Sequence, residues 1–323
     1  MMKGTFAIRE GERACRVESQ PAILTSDVFH SKPNESSLRQ ESELVPRQPR
    51  ADVTFNAVAR SPERKELEGW SVRVMIDQRA THTLHVCGAR QWEPSGVVLK
   101  SWKLSERQKM TELPLRYEYA YGGIIRDGEN LLVHEFNPVG RGFLGGLPPR
   151  QNPVPAPQIG LLAEFAALNP REEMMVCGLG PISKSWLPRR SLAGTFNDVW
   201  LREQHPRMPD DYSLAFWNGA PSALQIDPYL TGDETMTVKG VRHDPKPYAF
   251  SLPGLEWHYE LVSSSSRRSG KYRLNLQSVH CDLADPDPDK HWMSLVWRAA
   301  FQSPEEVAEI KITGGEIEQK KIS

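Results

Sequence analysis

The stretch WSVRVMIDQRATHTLHVC, Trp70–Cys87, carries the most regular hydrophobic pattern in the sequence. Its first half, Trp70–Ile76, places an apolar side chain at every second position, which is the period of a β-strand with one buried face. Asp77–Ala80 is suited to a turn, and Thr81–Cys87 returns with apolar residues set among polar neighbours. The stretch therefore predicts a β-hairpin, and it indicates the fold class of the whole chain.

Other segments show weaker strand patterns. They are Thr5–Ile8, Ala51–Val58, Val97–Trp102, Leu131–Phe136, Thr235–Val241, Trp257–Val262 and Ile310–Ile312. A second hairpin is predicted from Lys271–Leu283 and His291–Phe301, which are joined by an Asp- and Pro-rich turn at 284–290. In contrast, Phe29–Pro49 is rich in Ser, Pro, Glu and Arg and predicts an extended, poorly packed connection.

Helices are predicted to be few and short. The sequence contains 26 prolines, and each proline removes a backbone donor and disfavours a helix interior. Short helices are expected within Gln158–Leu168 and from the N-cap and proline of Ser303–Glu306. We therefore expect a mainly β fold, as a β-sandwich or meander sheets, with long Gly- and Pro-rich ordered loops and a few short helices.

The length of 323 residues fits a single domain that spans 1–323. The sequence contains no repeat of fixed period and no sharp boundary. The alternative is a subdivision into an N-terminal β part at 1–136, a loop-rich centre at 137–230 and a C-terminal β part at 231–323.

Charge and hydropathy argue against several classes of protein. The 40 basic and 41 acidic residues give a net charge of -1, whereas proteins that bind nucleic acid or membrane surfaces normally carry a basic excess. No apolar run approaches the ~20 residues of a membrane span. The N-terminus becomes charged too early for a signal peptide, and the four scattered cysteines form no C-x-x-C pair. We expect a cytoplasmic protein that binds neither nucleic acid nor membrane.

Gly140, Gly142 and Gly145 spell G-x-G-x-x-G within the stretch NPVGRGFLGG, Asn137–Gly146. That spacing can cradle the pyrophosphate of a dinucleotide when a strand precedes it and a helix follows it. The prolines that begin at Pro148 disfavour such a helix. We therefore expect a tight loop whose glycines adopt positive φ, and no cofactor.

The histidines, cysteines and aspartates do not form a recognisable reactive or metal-binding motif. His82 and His85 spell H-x-x-H, but on a strand they point to opposite faces, so we expect two exposed or half-packed histidines. His280 and Cys281 are adjacent and diverge in the same way. The aspartates of 285–289 lack the Gly and the terminal Glu of a calcium loop and are more typical of a turn. No metal site and no catalytic residue is expected.

Aromatic residues and arginines are concentrated in and around the loop-rich centre. Such side chains are enriched at protein interfaces, and they also brace loops by filling gaps and by donating to backbone carbonyls. Each candidate is therefore a protein-binding or a loop-bracing residue. The candidates are Arg116, Tyr121, Arg141, Trp186, Arg189, Arg190 and Trp200.

The order of several short motifs carries a family resemblance. The motifs are Glu43–Val53, Pro114–Gly123, Asn137–Phe143, Gly180–Ile182, Trp186–Arg190, Ala193–Trp200, Pro209–Tyr212, Asn218–Pro221, Gly232–Glu234 and Trp297–Arg298. In this order they resemble a bacterial domain-of-unknown-function family, number twenty-one sixty-nine, that is encoded beside type VI secretion genes. The resemblance covers nearly the whole chain.

The resemblance implies a function in protein secretion. Members of the family look like adaptors or chaperones for secreted toxic effectors. By this resemblance, the chain would bind a cognate effector or its PAAR-repeat spike-tip domain and promote its loading onto the VgrG spike, without catalysis. Homo-oligomerisation is left open. The alternatives are a hydrolytic enzyme with spatially assembled carboxylates and a cell-wall or carbohydrate-binding module, which the nine tryptophans would suit.

Overall fold

The computed structural model describes residues 1–96, 101–148, 152–162, 165, 168–170, 172–263, 270–300 and 307–317. The strands are β1 (Met2–Ala7), β2 (Cys15–Arg16), β3 (Val28–Phe29), β4 (Leu38–Gln40), β5 (Ala51–Arg60), β6 (Gly69–Ile76), β7 (Ala80–Cys87), β8 (Gln91–Ser95), β9 (Ser101–Leu104), β10 (Glu112–Pro114), β11 (Tyr121–Gly122), β12 (Ile124–Asp127), β13 (Asn130–Val133), β14 (Arg141–Gly142), β15 (Val154–Pro155), β16 (Ile159–Gly160), β17 (Gln225–Ile226), β18 (Thr235–Lys239), β19 (Tyr248–Ser251), β20 (Leu255–Ser263), β21 (Lys271–Arg273), β22 (Asn275–Leu283), β23 (Trp292–Arg298) and β24 (Val307–Glu316). Helix α1 spans Asp198–Glu203, and 3-10 helices span Pro62–Arg64, Tyr117–Tyr119, Arg189–Ala193, Leu214–Trp217, Ser222–Leu224 and Pro288–Lys290.

Two large sheets form the body of the molecule. Sheet A has the strand order β10–β5–β22–β23–β1–β2, and β17 also pairs with β5. In sheet A, β5 and β22 run parallel and the other pairs are antiparallel. Sheet B has the order β16–β7–β6–β18–β19 and is antiparallel throughout. The smaller sheets are β21–β20–β24, β15–β8–β9, β3–β4, β11–β14 and β12–β13.

The two large sheets share one hydrophobic core. Phe55 and Leu295 from sheet A belong to the same cluster of buried side chains as Val74, Leu84 and Phe250 from sheet B. Burying a side chain of this kind contributes about 1.5–3 kcal/mol. The sequence-based expectation of a mainly β fold with long ordered loops and short helices is confirmed.

The predicted hairpin at Trp70–Cys87 is confirmed as β6 and β7, which pair in an unbroken antiparallel register. The alternate apolar residues of Trp70–Ile76 are buried, as the pattern predicts. In β7 the alternation is lost, because all of Leu84–Cys87 is buried. The ring of Phe165 packs against His85 with 5.8 Å between ring centroids and covers the second face. The expectation that His85 is exposed or half-packed is therefore wrong.

The segment Phe29–Pro49 is not the poorly packed connection that its composition predicts. It contributes to a polar layer with β5, β22 and β23, and within it Leu38 is 1% and Gln48 3% exposed. The side chain of Gln48 donates to Asp52 (Nε2–Oδ2 2.7 Å) and accepts from Arg298 (Nη1–Oε1 3.1 Å). The polar composition of this segment does not indicate exposure, because sheet A supplies buried hydrogen-bond partners for its polar side chains.

The remaining predictions mostly agree with the structure. β1, β5, β13, β18, β20, β22, β23 and β24 overlap the predicted strands. The Asp-rich turn is confirmed, because the backbone N–H of Asp287 donates to Asp285 Oδ1 at 2.9 Å. The start of the segment 158–168 forms β16, whereas Leu162 and Phe165 are helical, which agrees with the short helix predicted there. Residues 97–100, parts of 158–168, and the helix predicted from Ser303 lie outside the described residues.

The polar layer surrounds a small cavity of about 50 Å³. Asp52 lines it and accepts three hydrogen bonds, from Gln48 Nε2 (2.7 Å), Asn218 Nδ2 (2.7 Å) and Gly219 N (2.6 Å). Burial raises the pKa of Asp52 to about 7, although the hydrogen bonds from Asn218 and Gly219 act to lower it. The ionisation of this carboxyl is therefore coupled to folding.

We expect the contribution of Asp52 to the free energy of unfolding to decrease as the pH rises from about 4 to about 7. The unfolded carboxyl ionises near its ordinary pKa of 3.8, whereas the folded carboxyl keeps its proton to about pH 7. The folded state therefore binds more protons in this range, and the decrease is roughly 4 kcal/mol at most.

Urea unfolding of the wild type and of Asp52→Asn at several pH values measures this contribution. Burial lowers the pKa values of His30 and His280 to about 4, which gives a slope of opposite sign, so only the difference between the two proteins is informative. Identical pH dependence in both proteins would contradict the prediction.

Candidate functional site

The motifs around Tyr121 and Arg141 come together through their backbones, because β11 pairs in parallel with β14. Asn137 is fully buried beside this pair. Its side-chain Nδ2 donates to the carbonyl oxygens of Tyr117 (2.8 Å) and Tyr121 (3.0 Å). A single buried amide therefore ties the two motifs into one unit and satisfies loop carbonyls.

Gly140 and Gly142 of G-x-G-x-x-G lie at this backbone contact, whereas Gly145 lies against Ile125 and Leu132 of β12 and β13. A Cβ atom on Gly140 would overlap the side chain of Asn137 and lie 2.7 Å from the carbonyl oxygen of Ala120. Gly142 and Gly145 have φ values of +89° and +58°, which favour glycine. The described residues that follow, 143–148, form a loop rather than the helix that a phosphate site requires. The prediction of a tight loop is confirmed, and the expected positive φ is found at Gly142 and Gly145 but not at Gly140.

Arg141 braces this loop through contacts within the chain. Its Nε donates to the carbonyl oxygen of Glu118 at 2.7 Å, and its Nη1 donates to Gln158 Oε1 at 2.9 Å. The guanidinium carbon lies 4.3 Å from the centroid of the Tyr119 ring, which is a cation–π contact. All of these contacts support the loop-bracing alternative for Arg141.

Trp186 and Arg189 support the same region from the interior. Trp186 is 6% exposed and packs edge-on against Tyr117, with ring centroids 5.6 Å apart. Arg189 is 2% exposed and forms a bidentate ion pair with Glu41, with N–O distances of 2.9 and 3.1 Å. Its Nε and Nη2 also donate to the carbonyl oxygen of Phe216. Both residues are therefore part of the scaffold.

An apolar groove opens beside these motifs. It consists of two adjacent cavities of about 370 Å³ and about 420 Å³, and Glu173 lines both of them. The first cavity is lined by His134, Phe136, Glu173, Met174, Met175, Val176, Ile182, Leu187 and Pro188. The second is lined by Tyr121, Leu131, Leu132, Val133, Phe143, Leu144, Gly145, Gly146, Pro170, Glu172 and Glu173. Each volume lies in the range of about 300–1,000 Å³ that is usual for binding pockets.

The groove leaves large apolar side chains in contact with solvent. Phe136 is 45%, Met175 61% and Leu131 53% exposed. Val133, at 37% exposed, also lines the groove, and its strand partner Ile124 is 53% exposed. Several large apolar side chains are therefore exposed around one groove, which is a pattern typical of interaction sites.

His134 lines the first cavity and contacts the aromatic side chains of both. Its ring centroid is 5.0 Å from that of Tyr121, 5.3 Å from that of Phe143 and 5.9 Å from that of Phe136. Burial lowers the pKa of His134, and the carboxylate of Glu173 opposes this shift. The imidazole is therefore neutral near pH 7, and the wall of the groove is apolar and aromatic.

The charged groups of the groove are acidic. Glu172 and Glu173 are exposed, and none of the described lining residues is a lysine or an arginine. Arg190 lies nearby but is paired with Glu135 (Nη2–Oε1 2.6 Å), whose backbone carbonyl accepts from Leu187 N. A bound molecule would therefore meet an apolar wall in the first cavity and a more polar surface, with the carboxylates of Glu172 and Glu173, in the second.

Arg116 and Trp200 do not line the groove. Arg116 is exposed and precedes the 3-10 helix at Tyr117–Tyr119. Trp200 belongs to α1, where its ring lies 4.7 Å from that of Phe196 and 5.4 Å from that of His205, measured between centroids. This segment forms a second exposed apolar surface. Its exposed apolar side chains are Phe196, Val199, Leu201 and Met208.

The sequence reasoning missed most of the groove wall. His134, Phe136 and Met174–Val176 were not among the predicted site residues, although all of them line the first cavity. The available signal was the apolar triplet Met174–Val176 within a loop-rich region. A triplet is too short to show a period, so its exposure depends on the tertiary structure.

The other reactive side chains are used structurally. His82 Nε2 lies 3.1 Å from the carbonyl oxygen of Gly178, and His280 Nδ1 lies 3.0 Å from Thr54 Oγ1. Cys281 is fully buried, which raises the pKa of its thiol. Across the described ranges, no group of three or more His, Cys, Asp or Glu residues could hold a metal ion.

Of the comparisons with known proteins, only the one with family models gives a match. Within the described part of the chain, no helix has the length and apolar character needed to cross a membrane. No curated protein and no solved structure matches the chain. A family model described as "Uncharacterized protein conserved in bacteria (DUF2169)" matches residues 1–298, which include both large sheets and the whole apolar groove. The chain therefore belongs to this conserved bacterial family, DUF2169.

Proposed function

We propose that the protein is a type VI secretion effector adaptor that binds a cognate effector, or its PAAR-type spike-tip domain, in the apolar groove. It covers an apolar surface of the effector in the cytoplasm and releases it when the effector is loaded onto the VgrG spike. Binding occurs without turnover. The observation that carries this proposal is the groove, which lies beside the motifs of the family resemblance and exposes large apolar side chains.

The shape and lining of the groove suit a protein segment. Its two adjacent cavities can each take one apolar anchor of a bound segment, and a few buried anchors supply most of the energy of a protein interface. Met174 and Met175 lie in the wall of the first cavity. Methionine is flexible and polarisable, so such a wall can adapt to side chains of different shape.

The charge at the groove indicates which segment it prefers. Glu172 and Glu173 are exposed at its edge, and no basic residue lies among the described lining residues. Complementary charge selects partners and steers association. The preferred segment therefore carries lysine or arginine next to its apolar anchors.

The hydrolytic alternative has less support. Glu41, Glu43 and Asp52 do line one cavity, and Asp52 has a raised pKa. That cavity is only about 50 Å³, which accommodates a few water molecules but not a substrate that needs about 300 Å³ or more. Three donors already occupy the oxygens of Asp52. A role in stabilising the polar layer accounts for these groups.

The carbohydrate-binding alternative is also less well supported. A sugar platform requires tryptophan faces that are open to solvent. None of the nine tryptophans is exposed: four are buried and the other five are half-buried. Trp200, in the second exposed surface, is itself half-buried and donates its Nε1 proton to the carbonyl oxygen of Arg207 at 2.9 Å.

We expect Phe136→Glu combined with Met175→Glu to abolish recovery of the effector or spike-tip protein. The chain is co-expressed with type VI effector and spike genes of the same genome and is purified through a tag. Each substitution replaces an apolar anchor worth about 1.5–3 kcal/mol, so the pair weakens binding about 100-fold or more. Affinity is then measured by calorimetry with the recovered partner.

A matched control separates the groove from general surface effects. Ile23 and Leu44 are 40% and 53% exposed and lie outside the groove, so Ile23→Glu with Leu44→Glu should bind like the wild type. Both double variants should keep the melting temperature of the wild type, because all four side chains are exposed. If Val199→Glu with Met208→Glu removes binding instead, the second surface is the binding site. Failure of the wild type to recover any effector or spike protein would contradict the adaptor function itself.

A further inference from the structure

The C-terminal strand β24 forms an open edge of a small sheet. It pairs with β20 over nine positions, from Leu255↔Glu316 to Ser263↔Val307. In the part of the chain that the structure describes, no strand pairs with its outer edge. The backbone N–H and C=O groups of that edge can therefore accept a further strand. β24 begins beyond residue 298, where the match to the family model ends.

The edge is long and partly apolar, and its charged side chains are Glu309, Lys311 and Glu316. β24 is ten residues long, and its sequence VAEIKITGGE contains no proline. Ile310 and Ile312 are 51% and 42% exposed. They share a sheet face with their partners Leu261 and Tyr259, because directly paired residues point to the same side. A long, exposed and partly apolar edge of this kind favours strand addition.

The sequence of β24 is complementary to itself in one antiparallel register. When Ile310 lies opposite the same residue of a second copy, Glu309 of each copy faces Lys311 of the other. These two side chains are 56% and 54% exposed, and their charged atoms are 3.7 Å apart within one strand. Opposite charges across two strands stabilise the pairing by about 0.2–1 kcal/mol for each pair.

We propose that the protein forms a homodimer in which the β24 strands of two copies pair antiparallel about a two-fold axis at Ile310. The two three-stranded sheets β21–β20–β24 then join into one continuous sheet. This inference goes beyond the adaptor function and does not depend on it. For an adaptor, the dimer presents two grooves on one particle, which increases avidity for a partner with several binding segments.

Charge reversal on β24 tests the register. Lys311→Glu places Glu opposite Glu twice, and Glu309→Lys places Lys opposite Lys twice. Each variant alone loses two favourable pairs and should dimerise about 2- to 30-fold more weakly than the wild type. An equimolar mixture of the two variants restores both opposite-charge pairs and should dimerise like the wild type. Sedimentation velocity at low salt over a range of protein concentrations measures these equilibria. Lys239→Glu, an equal charge change at an exposed position of β18, should leave the dimer unchanged.

Disulfide trapping tests the geometry independently. In a Cys15→Ser background, which removes the exposed native thiol, Ile310→Cys places two thiols opposite each other. Directly opposed residues have Cα atoms about 4.5–5.5 Å apart, which suits a disulfide. Thr313→Cys is the control, because in this register its two copies are separated by six residues, or roughly 20 Å.

Several outcomes would overturn the dimer. The dimer is excluded if the wild-type chain stays monomeric at every concentration, even where its β24 edge pairs with a strand of a different protein. Dimerisation of both single-charge variants at wild-type strength would also do so. Equal cross-linking of Ile310→Cys and Thr313→Cys would exclude the register. Dimerisation of the mixed variants together with selective cross-linking at position 310 supports it.

Discussion

Arg189→Ala is expected to lower the free energy of unfolding by about 3–5 kcal/mol, whereas Arg190→Ala, at the next residue, should lower it by less than about 1 kcal/mol. The two arginines occur in one motif, Trp186–Arg190, and the sequence treats them alike. Their surroundings differ. The side chain of Arg189 is 3% exposed, and that of Arg190 is 50% exposed.

The cost at Arg189 follows from what its removal leaves behind. Glu41, whose side chain is 12% exposed, loses a bidentate partner, and the carbonyl oxygen of Phe216 loses two donors. A buried charge without its partner is strongly destabilising. Lys184 Nζ, at 2.8 Å from Glu41 Oε1, offsets part of this loss. The expected cost therefore lies nearer to 3 than to 5 kcal/mol, as an order-of-magnitude value.

Arg190 is the matched control because its ion pair with Glu135 is half exposed on both sides. Exposed pairs of this kind are screened by water and contribute about 0–1 kcal/mol. Urea unfolding of the two variants under identical conditions gives both free energies. Equal costs would mean that Arg189 does not brace the loops. Because Arg190→Ala is expected to keep the fold, it can also be used to measure how the charge beside the groove affects the effector binding that we propose.

The strands that the sequence predicts best are those with one buried and one solvated face. In β6 the apolar residues alternate because Ser71 and Arg73 face solvent, so the period of two is visible in the sequence. In β5 both faces are buried, and Asp52 and Thr54 lie under Phe29–Pro49. A buried polar residue looks like an exposed one in the sequence, which explains why the packing of that segment was not predicted.

The groove could be located only in part from the sequence. The motifs predicted a protein-binding or loop-bracing role for the regions of Tyr121 and Trp186–Arg190. Residues of both regions line the first or second cavity. They could not separate bracing residues from lining residues, because this depends on contacts between loops. Arg141 turns inward to Gln158, whereas Arg190 turns outward to Glu135. No periodic pattern encodes that difference, since neither residue lies in a regular amphipathic element.

Gly140→Ala is expected to cost roughly 3–5 kcal/mol of stability, which is about 2 kcal/mol more than Gly146→Ala in the same loop. At Gly140 a Cβ atom would overlap Asn137 Nδ2 and lie 2.7 Å from the carbonyl oxygen of Ala120. Asn137 must then move, and the carbonyls of Tyr117 and Tyr121 lose their donor. Each buried carbonyl left without a partner costs about 1–3 kcal/mol.

Gly146 separates the cost of a crowded contact from the cost of backbone conformation. Its φ is +69°, but nothing lies within 4 Å of a Cβ atom built there. Gly146→Ala should therefore lower the free energy of unfolding only by the cost of a left-handed alanine, about 1–2 kcal/mol. Urea unfolding gives both free energies, and affinity for the effector segment that we propose gives a second measurement. Because the loop positions Tyr121 and Phe143 in the groove wall, Gly140→Ala should weaken binding even where the variant is still folded. Equal destabilisation by the two substitutions would show that these glycines provide only backbone freedom, and that the buried contact around Asn137 does not hold the groove together.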